Sequence, residues 1–372
     1  MFKYEFQKAF FKCRGLLLLI ILFVAEFFVI NAEYPKIQFE DEPTLTYFNE
    51  YANEFRGELT PEKERKILAE QERITDAKNA EYAVETRLRN GEYSSREEYI
   101  TEYEKTREIT KRTDAFNLFL QKYNYANVSR EKRYIIAGEY NGLSRDYPDI
   151  IFLVFAVYFA STLFLTEETS SMMTLIKSYG NGRKSLCGKI FSLFSLCVLA
   201  ALFIMLIELA FMISRGNLSE LNYPIQSIQY FQNCPYNISI LQGFFIISAL
   251  RFSGILFIIA LVILLSVTTR RAVFVIFIPS AMCILQQFLF ENAAPVYYFP
   301  TGLLRASGYL RGNAFETLFA GGNNEQTVQI FSEIPLLNLI AVLIFVALFI
   351  TASTFTAGKY YSGGKNDEGY IE

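Results

Sequence analysis

The sequence predicts an all-α membrane protein with six transmembrane helices, an interfacial helix at its N-terminus and a helical hairpin inserted on the extracellular side. Three observations carry this prediction. Of 372 residues, 52% are hydrophobic and 16% aromatic, while the charged residues, 20%, are gathered into a few segments. Six apolar runs approach or reach the roughly 20 residues that a bilayer core requires. Lys and Arg in the short flanks fall largely on one side of those runs.

The opening stretch, residues 1–15, places Phe2, Phe6, Phe10 and Cys13 at helical spacing, with Lys3, Lys8 and Lys12 off that stripe. This is the pattern of an amphipathic helix lying in the interface on the cytoplasmic side. The first span follows at 16–32. Its basic start and the small residue Ala32 superficially fit a cleavable signal peptide, but Glu26 inside the apolar run and five later spans favour a retained anchor. The remaining spans are expected at 148–165, 190–213, 243–267, 272–290 and 336–356.

Orientation follows from the basic residues of the short segments. An inward N-terminus collects Lys3, Lys8, Lys12, Arg14, Lys177, Arg183, Lys184, Lys189, Arg270, Arg271, Lys359 and Lys365 on the cytoplasmic side. Only Arg215, Arg305 and Arg311 are left in the short outer connections, at 214–242 and 291–335. The expected localisation is therefore a cell membrane, multi-pass, with both termini cytoplasmic, the tail spanning 357–372 and a tight cytoplasmic turn at 268–271.

Residues 33–147 form the extracellular insert and hold most of the charge, with both signs interleaved as on a solvated surface. Thr60 followed by Pro61 starts one helix, which runs to about Asn90. Gly91 breaks it. Ser95 with Glu98 three residues on opens a second, through Tyr99, Tyr103, Ile109, Phe116 and Leu120. Ile67, Ile74, Val84 and Leu88 give only a thin apolar seam interrupted by Glu81, so a strict coiled coil is not expected. A cap, lid or partner-docking element fits this composition better than a compact enzyme domain. In the last outer loop, Pro295 and Pro300 with Tyr297, Tyr298, Leu303 and Leu304 suit short helices dipping into the interface, followed by a polar stretch from Gly312 to Gln329.

Several function classes are excluded. A net charge of −3 leaves no basic face for nucleic acid. The chain contains no His, which removes His-based triads and most zinc sites, and the five cysteines show no paired spacing, so neither a catalytic nor a metal site nor a disulfide framework is expected. The segment GNGRKS resembles part of a phosphate-binding loop, but Gly182 stands one place too early for Gly-x-x-x-x-Gly-Lys-Ser and no strand precedes it.

The cytoplasmic loop 166–189 opens with Glu167 and Glu168. Met172, Met173, Leu175 and Ile176 can form a short helix with an apolar face suited to a groove on another protein. Gly180, Asn181 and Gly182 then break it, and Arg183, Lys184 and Lys189 introduce the third span. The pattern Glu167-Glu168, Met172, Leu175-Ile176, Ser178, Gly182-Arg183, Leu186 and Lys189 resembles the signature loop of ABC-2 type transporter permeases. Ser171 stands where many relatives have Gly, and Gly-Asn-Gly replaces a Pro often found before the Arg. The resemblance covers the membrane part of the chain and not the insert. It implies a permease subunit that pairs with a second permease copy or a homologue and docks a separate ABC ATPase on the loop. ATP would be used by that partner and no cofactor bound by this chain. An exporter is implied, with peptide or lipid-like cargo favoured.

Three charges fall inside predicted spans, where an isolated charge costs several kcal/mol and is normally paired or functional: Glu26, Glu208 and Arg251. Glu208 and Arg251 are candidates for an ion pair between the third and fourth spans. A competing reading is a non-transporting receptor or immunity-type protein whose outer hairpin binds a peptide or envelope partner.

Overall fold

The computed structural model describes residues 2–12, 14–33, 42–124, 134–136, 138, 140, 142–145, 149–169, 182–269, 271–289, 294–320 and 324–362. Among the described residues, four helices are long and apolar enough to cross a membrane: α2 (Gly15–Glu33), α8 (Gly182–Arg215), α9 (Ile240–Thr268) and α12 (Leu336–Ser362). Two further apolar helices, α7 (Ile150–Thr169) and α10 (Ala272–Leu289), are shorter in their apolar run. The protein is therefore membrane-embedded and multi-pass.

The centre of the bundle is α9, which packs on α7, α10 and α12. It starts at a capping box in which Ser239 Oγ accepts from Gln242 N at 3.2 Å while Gln242 Oε1 accepts from Ser239 N at 3.0 Å. On α7, Ala156 and Ala160 are fully buried four residues apart, a spacing that lets helices approach closely where no hydrophobic effect drives them together. On α2, one stripe (Leu19, Leu22, Glu26, Ile30) faces the protein, while Leu17, Ile20, Ile21, Val24 and Phe28 are exposed, as a lipid-facing surface requires.

The N-terminal segment departs from the expected Phe-striped helix. It is an α-helical turn and a half, α1 (Phe2–Gln7), running into a π-helical turn at Lys8–Lys12. Its buried face carries Glu5 and Ala9, packed on α8, while Phe6 and Phe10 are half-buried and Phe11 is exposed. The absence of a side chain at Gly15 lets α2 start close against this segment: a Cβ on Gly15 would stand 2.6 Å from the Ala9 carbonyl oxygen. Arg14, in the left-handed region at φ 56°, turns the chain between the two elements. Cys13 lies outside the described residues.

Four helices rather than a two-helix hairpin make up the described part of the polar insert: α3 (Glu42–Phe55), α4 (Pro61–Arg89), α5 (Arg96–Thr110) and α6 (Thr113–Asn124). Thr60 caps α4, accepting from Lys63 N at 3.3 Å, and Gly91 makes the turn at φ 71°. Ser95 caps α5 through Glu98 N at 3.2 Å, but the Glu98 carboxylate reaches back to Ser94 instead of Ser95, so the box is offset by one residue. The second helix expected through Leu120 bends at Lys111–Arg112. That bend turns Phe116 and Phe119 onto Tyr51, at ring distances of 5.2 and 5.9 Å, and closes an aromatic core with Phe48, Phe55 and Ile67. A two-residue antiparallel pairing of β1 (Gly57–Glu58) with β2 (Tyr134–Ile135) joins the two ends of the insert. Within the seam, Ile67, Ile74 and Val84 are buried and Leu88 is exposed.

Residues 216–239 fold as short 3-10 turns around buried Gln226, whose Nε2 donates to the carbonyls of Cys234 and Tyr236 at 2.9 and 2.6 Å. Beyond α10, a 3-10 turn at Pro300–Arg305 packs against α9, burying Leu303, Leu304 and Arg305, while the preceding turn at Ala294–Tyr298 packs on it and on α12, and a short helix α11 (Gly308–Arg311) packs on the turn at Gln229–Phe231. The polar stretch that follows is a β-hairpin, β3 (Ala314–Ala320) with β4 (Asn324–Phe331), which the all-α expectation did not include. Phe315, Thr317, Val328, Ile330 and Phe331 supply the β-branched and aromatic content that such a hairpin needs. Arg311 lies between the Tyr230 and Phe331 rings, at 4.7 and 5.0 Å, and so ties the two loop regions together.

Candidate functional site: a buried ionic cluster

The residues that connect the insert to the spans are the ones that gather charge. Glu33 ends α2, and Asp149 precedes α7, where its Oδ1 accepts from Phe152 N at 3.2 Å as an N-cap. Between insert and span stands Arg145. Its Nη1 donates to both Glu33 oxygens, at 2.8 and 3.0 Å, and its Nη2 lies 3.8 Å from the second oxygen of Asp149. All three side chains are nearly inaccessible. Burial works against the Arg145 charge, but the carboxylates of Asp149, Glu208 and Glu33 outweigh it and hold the guanidinium above its ordinary value.

Helices α8 and α9 add to this cluster. Glu208 of α8 and Arg251 of α9 stand 3.7 Å apart. Arg251 Nη2 also reaches the backbone carbonyls of Gly142 and Arg145, at 3.5 and 3.3 Å, and Ser307 Oγ donates to the Arg145 carbonyl at 2.7 Å. The segment 142–145 is thereby held by α2, α7, α9 and the loop before α11 together. A small cavity of about 50 Å³ opens among Arg145, Asp149, Glu208, Ser248 and Arg251, with Ile204 and Phe252 as apolar walls. Nearby, Tyr140 Oη and Gly138 N both donate to buried Glu220, at 2.8 and 3.1 Å, a second tie between the insert's returning strand and the membrane part.

Of the three intramembrane charges singled out in the sequence, the structure places Glu208 and Arg251 face to face, and sets Glu26 at the side of the same cluster. Arg145, Glu33 and Asp149 were missed. They lie at the edges of apolar runs, where charge is ordinary, and only the i, i+4 spacing of Arg145 and Asp149 hinted at a connection.

The residues singled out between 166 and 189 are placed unevenly. Glu167 and Glu168 are in the last turn of α7; Met172, Met173, Leu175 and Ile176 lie outside the described residues. The helix that contains the apolar run 190–213 begins before that run. This helix, α8, starts at Gly182, so Arg183, Lys184 and Lys189 are helical rather than in a loop. Arg183 and Lys184 are exposed, but Lys189 is fully buried: its Nζ donates to Tyr361 Oη at 3.0 Å and lies 5.2 and 5.5 Å from the rings of Tyr361 and Phe164. Aromatic faces and a hydroxyl replace the water that an interfacial lysine would keep. One turn earlier Ser185 Oγ donates to Glu5 at 3.0 Å. Gly182 itself touches the end of α12, since a Cβ there would stand 1.9 Å from the Tyr361 carbonyl oxygen.

No protein-family model, curated protein or solved structure matches this chain. Among the described residues no group of three or more Cys, Asp or Glu side chains is arranged to hold a metal ion.

Proposed function

We propose that this chain is the membrane-spanning subunit of an exporter of the ABC-2 type, with six spans, both termini cytoplasmic and the polar insert outside the cell. In this reading a separate ATPase docks on the segment between α7 and α8. A second permease copy or a homologue completes the transporter, and the cargo is peptide or lipid-like. The observation that carries the reading is the sequence pattern from Glu167 to Lys189 at its position between the second and third apolar helices. Packing supports it in one respect. The first two turns of α8 contact α1 through Ser185 and α12 through Gly182 and Lys189, so displacement of the preceding segment would pass directly to three helices. Six rather than four spans requires α7 and α10 to cross as well; both are apolar and both pack on α9.

The test is co-expression with the candidate ATPase from the same genome, followed by co-purification in lipid nanodiscs. A stable complex is expected, with ATP hydrolysis altered by the permease. The double substitution Met173→Asp with Leu175→Asp should abolish the complex while leaving the yield of folded protein unchanged. Retention of full complex formation and ATPase coupling by that variant would refute the docking reading.

A receptor that does not transport is favoured by one observation, the insert's own aromatic core, which is separate from the core of the spans. It requires no ATPase, so the same co-purification separates the two.

A further inference from the structure

Glu26 is the member of the ionic cluster that the paired contacts leave over. It lies in the α2 stripe turned toward the protein, is 1% exposed, and neither carboxyl oxygen meets a hydrogen-bond donor. What faces it foremost is another carboxyl, that of Asp149, with Arg145 of the same segment and Glu33 of its own helix next. From α8 and α9 the charges in the cluster are Glu208 and Arg251. The guanidiniums are committed to other carboxylates and carbonyls: Arg145 through Nη1 to Glu33 and through Nη2, at 3.8 Å, to one oxygen of Asp149, and Arg251 to Glu208 and the carbonyls of Gly142 and Arg145. Carboxyl groups thus outnumber cations here.

Two buried carboxylates side by side repel one another, and each loses its hydration. The contact becomes attractive when one proton lies between them, because the acid then donates to the carboxylate. A metal ion would need further ligands, and none of the described acidic residues provides such a set. The adjoining cavity, about 50 Å³, has the charged side chains of Asp149, Arg145, Glu208 and Arg251 in its wall beside the apolar Ile204 and Phe252, and is large enough for a water in reach of Asp149.

We propose that Glu26 and Asp149 together bind one exchangeable proton, forming a proton site within the membrane part of the molecule, with Arg145 as its positioning residue. On release the proton passes to water in the cavity and leaves the pair as two carboxylates; on binding it restores one O–H donor to the other oxygen.

The experiment is infrared difference spectroscopy on the full chain in lipid nanodiscs at neutral pH, in H2O and D2O. The wild type should show the carbonyl stretch of a protonated carboxyl, lowered in D2O. Glu26→Gln should lack it, and Asp149→Asn should remove or displace it because the acid has lost its acceptor. The proposal is overturned if the wild type has no such band, or if the band is unchanged in either variant. A band that appears only after sodium is replaced by choline would assign the site to a cation and also overturn it. If Glu26→Gln does not yield folded protein, Asp149→Asn and the wild-type spectrum decide between the same outcomes. None of these readouts involves an ATPase or transport, so they stand apart from the permease reading.

Discussion

Arginine meets glutamate in two regions of this protein, under opposite conditions. At the far end of the insert, Arg87 pairs with Glu102, Tyr93 Oη donates to the same carboxylate at 2.9 Å, and Tyr93 meets Tyr99 edge-on while Tyr99 stacks on Tyr103. No residue of α5 is buried there. At the junction of insert and spans, Arg145 and Glu33 are sealed from solvent. In the first region water competes for every contact, and the pair adds little to the helix propensity already present. In the second, water has been removed from both partners, and what matters is the cost of leaving one of them alone. The lesson is that the same two side chains decorate one site and hold the other together.

The sharpest way to break this contrast is Arg145→Met. It leaves Glu33 and Asp149 buried beside an apolar side chain, and a loss of about 3–5 kcal/mol is expected. Thermal unfolding in nanodiscs measures it; a shift no larger than that of Arg87→Met would dissolve the distinction between the two regions. Next in size is Gly182→Val, which forces α8 away from the Tyr361 carbonyl. A cost of about 1–3 kcal/mol is expected from overpacking. Its readout is the loss of an engineered crosslink between the first turn of α8 and the end of α12.

A smaller effect is expected between Glu208 and Arg251, whose closest approach of 3.7 Å is long for a charged hydrogen bond. A double-mutant cycle with Glu208→Gln and Arg251→Gln should return a coupling of about 1 kcal/mol. The exchanged pair, Glu208→Arg with Arg251→Glu, should recover part of what each single reversal loses. If the exchange recovers nothing, the two charges act separately.

The smallest effect belongs to the hairpin tip. The Glu102 carboxyl is held below its usual range, first by its hydrogen bond from Arg87 and then by that from Tyr93. A depressed value in the folded state means that the contribution is present above the ordinary carboxylate range and disappears as the pH falls through the folded value. Hydrogen exchange of amides in residues 87–107, corrected for its intrinsic pH dependence, should show the tip loosening under acid and Glu102→Gln insensitive to it.

Much of this architecture was legible in the chain. Apolar length marked the helices because a bilayer admits few alternatives, and Thr60, Gly91 and Ser95 marked helix ends because capping is a local matter of backbone donors and side-chain oxygens. Other features were not legible. The bend at Lys111–Arg112 depends on where Tyr51 and Phe55 stand, and those residues come from a helix nearly sixty positions earlier. The hairpin at 314–331 has weak alternation and lies in a polar stretch, where periodicity has little to report.

The sequence by itself determined that the protein enters a membrane, roughly where, and that Glu26, Glu208 and Arg251 would need partners there. Only the tertiary structure decided which partners these are. Glu33, Arg145 and Asp149 sit at the rims of the apolar runs, where hydropathy is indifferent to charge. Their significance comes from the chain returning Arg145 to Glu33 across a separation of 112 positions, and from the burial that turns an ordinary surface pair into a shared requirement of four helices.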